Sequence, residues 1–125
     1  MKTLGSAAAL VLIGLSLLVG NADAQTVTYL YSLGNHAADG EFPVAGLVQG
    51  SDGNFYGTTA FGGAHLKGTV FNIDATGSLT TLHSFSGSPG EGAVPFAGLV
   101  QGSDGNFYGT TALGGAHGEG TVFKL

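Results

Sequence analysis

Beyond residue 25, apolar and polar positions follow a period of two; no stretch repeats at 3.6. Val44–Gln49 is a short apolar run. Asn54–Thr59 alternates, placing Phe55, Gly57 and Thr59 on one side and Tyr56 and Thr58 on the other. Gly68–Asp74 reads GTVFNID, β-branched and aromatic. Leu79–Phe85 reads LTTLHSF, and strict alternation puts Leu79, Thr81, His83 and Phe85 on one face. Turn chemistry separates these runs. Gly50-Ser51-Asp52-Gly53 joins the first two, with Asp capping backbone and Gly taking positive φ. Gly62-Gly63 opens a longer loop, and Asp74-Ala75-Thr76-Gly77 turns into the fourth run. The pattern predicts four short antiparallel strands.

The same pattern occurs twice. AGLVQGSDGNFYGTTA stands at residues 45–60 and again at 97–112, 52 positions on. Sliding Val27–Ile73 onto Leu79–Leu125 needs no gap, and roughly 29 of 47 pairs are identical. An all-β fold of tandem four-stranded repeats of about 52 residues is expected, each repeat resembling a β-propeller blade. A β-solenoid or small sandwich is the alternative. Solenoid coils have shorter periods, and a sandwich gives no reason for a constant translation. The first copy opens on the fourth-strand type (Val27–Leu33) and the second closes on the third (Gly120–Leu125). Residues 25–125 thus hold two blade equivalents, circularly shifted. Two cannot close a ring of about four to eight blades. The expected partners are therefore further repeats of a longer array, or other copies of the chain.

Composition narrows the class. The chain has 125 residues, 24 glycines, 43% hydrophobic and 9% charged residues, too apolar for disorder and too charge-poor for a long soluble helix. The net charge of −5 comes with three basic residues, all lysine. No cationic surface for nucleic acid can be assembled, and bidentate arginine clamps are absent. With no cysteine, disulfides and thiolate sites are excluded. Residues 1–24 read as a secretory signal peptide: Lys2, an apolar run over Ala7–Val19, then Ala22-Asp23-Ala24 before the expected cleavage at Gln25. The apolar run falls short of the about 20 residues that span a bilayer. A secreted chain is expected, extracellular, periplasmic or at the cell surface, without membrane insertion once the leader is removed.

LVQGSDGNFYGTT, then GG, GTVF and LTTLHSF, resembles the secreted bacterial GloVer-containing (choice-of-anchor) tandem-repeat proteins. The resemblance covers essentially all of residues 25–125. It implies an exported chain with many such repeats, often ending in one of several anchoring tails. It implies no established activity, so it carries over no catalytic residue.

Candidate sites are few. His65 and His117 repeat in GGAH loops, where imidazole serves as metal ligand, proton carrier or sugar-stacking partner. No HxH, HExxH or His–carboxylate cluster accompanies them, and a loop histidine bonded to backbone is the alternative. His36 and His83 rank lower, because their counterparts are Ser88 and Tyr31. Asp39 with Glu41, and Glu91 in the equivalent loop, form the local acidic groups; a glycosidase needs two carboxylates in one cleft. Asp52 and Asp104 sit in SDGN turns, one carboxylate each, where a calcium loop needs several. Tyr56, Tyr108, Phe55 and Phe107 suit inter-repeat core or a carbohydrate platform. No GxSxG elbow, phosphate loop or βαβ fingerprint occurs. No catalytic residue, metal or cofactor is expected.

These residues support a non-catalytic extracellular repeat module with a structural or ligand-presenting role, its partner a cell-surface glycan or protein. Loops 34–42 and 86–94, which differ most between copies and avoid strand pattern, would be its variable parts. The alternative is part of a propeller enzyme acting on polysaccharide, its site completed only in the full ring.

Overall fold

A computed structural model describes residues 23–125, so the expected leader lies outside the described residues except for Asp23 and Ala24. Every element is a strand: β1 Gly40–Glu41, β2 Val48–Gln49, β3 Phe55–Thr59, β4 Phe61–Gly62, β5 Thr69–Ile73, β6 Leu79–Ser84, β7 Gly92–Ala93, β8 Val100–Gln101, β9 Phe107–Thr111, β10 Leu113–Gly114 and β11 Thr121–Lys124. Among the described residues there is no helix and no closed sheet.

The predicted four-strand unit is present once in full. Strands β2-β3-β5-β6 form an antiparallel meander in that order. Phe55 opposes Ile73, and Thr59 opposes Thr69. The first run is shorter than expected. Pro43 lacks a donor and Gly46 a side chain, and only Val48–Gln49 pairs, opposite Tyr56 and Phe55. The second period gives a three-stranded sheet, β8-β9-β11.

Three expectations are corrected. Val27–Leu33, expected as a fourth strand, forms no strand. Val27, Tyr29 and Leu30 are exposed. The strand that would pair with it is of the β5 type, and β5 already has β6.

Second, β6 does not alternate throughout. Val70 opposes His83 while Phe71 opposes Thr81, so Leu82 is an unpaired bulge residue. Thr81 then shares the Phe71 face, whereas His83 and Phe85 turn to the Val70 face.

Third, the loops at 34–42 and 86–94 contain strand. β1 pairs with β4 and β7 with β10, each two residues long. Both ribbons follow from a backbone reversal. Phe42 and Val94 hold φ of 58° and 57°, uncommon for any side chain and strained for a β-branched one. Their carbonyls then accept the Ala60 and Ala112 amides, at 3.0 Å each.

The two larger sheets pack through Tyr56, Val70 and Phe85 on the side of the first sheet against Leu99 and Phe107 on the side of the second. Tyr56 stacks on Phe107 at 3.9 Å between centroids, and Phe85 meets Phe123 edge-on at 5.1 Å. Gly57 sits where β3 passes under the Phe71 ring; a Cβ there would stand 2.7 Å from both that ring and Leu47. Polar clasps reinforce the contact. Thr58 Oγ1 donates to the Ala97 carbonyl at 3.0 Å, and the Ser51 amide donates to Gln101 Oε1 at 2.9 Å. Above this core, Val94 donates its amide to the Lys67 carbonyl and packs with Ala60 and Ala93.

Candidate functional site

The densest group of chemically capable side chains lies where β6 meets the loop before β7. The bulge at Leu82 turns His83 toward the second sheet, and the loop returns Glu91 beneath it. His83 Nε2 and Glu91 Oε1 are 2.7 Å apart, with the side chains 41% and 31% exposed. The other carboxylate oxygen accepts the Ser86 hydroxyl and, at 3.3 Å, the Ser86 amide. The Ser86 hydrogen bond, then His83, holds the Glu91 carboxyl below the usual carboxylate range against partial burial. A recess of about 280 Å³ opens beside them, lined also by Val70, Phe85, Val122 and Phe123.

Serine, histidine and glutamate in one cluster suggest a hydrolytic triad, but the connectivity is different. Ser86 and His83 both bond to the carboxylate and not to each other, so Ser86 Oγ lacks the histidine base a triad places on its nucleophile. A carboxylate kept ionised by donors is an acceptor that ties a loop to a strand, not a general acid.

The first period repeats this arrangement with different residues. Tyr31 Oη donates to Asp39 Oδ2 at 2.7 Å, and the His36 amide donates to the same oxygen at 3.1 Å. Tyr31 corresponds to His83 and Asp39 to Glu91. The bond to Asp39 raises the Tyr31 pKa above its ordinary value, with burial and the carboxylate's charge adding to it. Asp39 is buried, while Glu41, two residues on, is exposed in β1. The acidic residues grouped in the sequence therefore separate: Asp39 and Glu91 are inward loop clamps, and Glu41 is a surface charge.

His65 and His117 stand exposed in their loops. Among the described residues, no three His, Asp or Glu side chains gather as a metal would require. Asp52 and Asp104 close their hairpins. Each accepts the amide of Asn54 or Asn106 and the hydroxyl of Tyr56 or Tyr108, the latter at 2.6 Å in both. Tyr56 and Phe107 are core, whereas Tyr108 and Phe55 are half-buried.

The family model for the Gloeobacter/Verrucomicrobia repeat matches residues 17–125. The chain belongs to that repeat family. No curated protein and no solved structure matches it. Membership in the Gloeobacter/Verrucomicrobia repeat family agrees with the two-period architecture. Sequence reasoning missed Tyr31, His83 and Ser86 as loop-clamp residues. It discounted His83 because its residue type does not recur. The legible signal was the pair: a ring donor with an acid eight residues later, in both periods.

Proposed function

We propose that the chain is a non-catalytic extracellular repeat module, architectural or ligand-presenting, whose sheets stack as propeller-like blades. One observation carries this reading: the recurring turn aspartates, strand threonines and loop acids are consumed inside the fold. Asp52 and Asp104 hold their own hairpins, and Thr59 and Thr111 their own sheets. Asp39 holds its loop to the segment at Tyr31, and Glu91 holds its loop to β6. Among the described residues, no buried side-chain nitrogen or oxygen lacks a partner. An active site keeps such groups in reserve for substrate.

The signal-peptide pattern supports export. The loops at 34–42 and 86–94 are the place for a ligand, a cell-surface glycan or protein. Residues 33–39 share no identity with 85–91, while the strands around them barely change. A glycan array combined with a turnover assay on the exported chain tests the reading. Retention of a glycan or surface protein without product is expected. Release of a shortened or unsaturated saccharide would overturn it.

A further inference from the structure

The interface between the two sheets has two faces, and the molecule carries a second, uncovered copy of each. On the first sheet, Val70 is 0% exposed and Tyr56 9%; on the second, Val122 is 80% exposed and Tyr108 is half-buried. Thr58 and Ala60 are buried, while Thr110 and Ala112 are open. The receiving face shows the converse. Leu99, Phe107 and Val94 are 8%, 7% and 5% exposed. Their first-period counterparts Leu47 and Phe42 are 55% and 64% exposed, and Phe55 is half-buried. One end of the molecule presents the surface that the other end is shaped to receive.

The sheet edges match in the same way. No described residue pairs with the outer edge of β11, and Val27–Leu33 forms no strand. In the repeat frame these two are β5 and β6, which do pair. Val27–Leu33 is also held in place. Tyr31 and Leu33 line one recess with Phe71 and Ile73, as His83 and Phe85 line another with Phe123 and Leu125. The Tyr31–Asp39 clamp fixes the segment as His83–Glu91 fixes β6.

We propose that copies of this chain assemble head to tail, residues 27–32 of one copy adding as the fourth strand to β11 of the next. Translating the β5–β6 register by one period gives the pairs Thr121↔Ser32, Val122↔Tyr31, Phe123↔Tyr29 and Lys124↔Thr28, with Leu30 as the bulge. Tyr108 then stacks on Phe55 of the neighbouring copy as Tyr56 stacks on Phe107 within one chain. The contact joins unlike surfaces, so it propagates, closing into a ring or continuing as a filament. This inference does not depend on what the loops bind.

Cross-linking in solution tests it, and the absence of native cysteine leaves the assay clean. Chains carrying Thr28→Cys are mixed with chains carrying Lys124→Cys and oxidised. A covalent heterodimer is expected. Ser32→Cys mixed with Lys124→Cys, at opposite ends of the predicted ladder, should give none. Light scattering of the exported chain should show a mass of at least two copies. Val122→Asp, at a position exposed within one chain, should weaken association at least tenfold while circular dichroism stays unchanged. A monomeric mass throughout, equal cross-linking of both cysteine mixtures, or a Val122→Asp variant that associates as well as the parent would overturn the proposal.

Discussion

Asp52 and Asp104 each close a hairpin and also hold the tyrosine that begins the packing face. The tyrosine hydroxyl, then the turn's asparagine, keeps each carboxyl below its ordinary value. A folded value below the unfolded one means the stabilisation is complete above about pH 4 and is lost as pH falls toward the lowered value. The same bonds raise Tyr56 and Tyr108. Their contribution holds through neutral pH and is lost above about pH 10, as pH climbs toward the raised value. The Asp52→Asn/Asp104→Asn double variant should therefore show a flatter acid limb in urea midpoint against pH. Asp74 and Glu91, also lowered, keep the slope from vanishing. An unchanged acid limb would contradict this role. Within the first sheet, the Thr59 and Thr69 hydroxyls lie 2.8 Å apart, both side chains buried, and Thr59 Oγ1 also accepts the Thr69 amide at 3.1 Å. Thr59→Val leaves those groups unpaired away from water and should cost about 1–3 kcal/mol. Thr111→Val should cost less in the same urea titration, because Thr121 is only half-buried and water can replace the lost partner.

At the scale of elements, β3, β5 and β6 were legible in the sequence within a residue at either end, since alternation and Gly/Asp turns are local signals. The bulge was not legible. LTTLHSF alternates acceptably with or without a skipped residue, and the choice comes from pulling Phe85 into the inter-sheet core. The ribbons β1–β4 and β7–β10 were hidden too, because they depend on the reversal at Phe42 and Val94 and on no apolar pattern. The site was legible only as separate parts: Asp39 and Glu91 were visible as acids, but their donors sit eight residues away across a loop. The bulge makes an unusual prediction. Since Leu82 pairs with nothing, deleting it leaves every other β5–β6 pair in register. The variant should fold with a loss below about 2 kcal/mol, as for surface changes. In an unbulged strand the same deletion would turn His83 and Phe85 outward, costing about 3–5 kcal/mol for the exposed phenylalanine. Urea midpoints of the parent and the deletion decide between them.

At the scale of the molecule, identical residues have unlike fates: Val70 is sealed and Val122 open. Sequence identity between periods reports a shared strand unit; burial reports which neighbour each sheet has. The repeated segment is thus a shared strand unit whose recurring aspartates and threonines serve its own turns and strands, while the loops between the two periods differ. That account rests on one contact above the others, the Tyr56–Phe107 stack joining the sheets. A double-mutant cycle with Tyr56→Ala, Phe107→Ala and the pair, followed by urea denaturation at one protein concentration, measures it directly. The expected coupling is about 0.5–1.5 kcal/mol, the value for a packed aromatic pair. Additive losses, with no coupling, would contradict the stacking of the two periods.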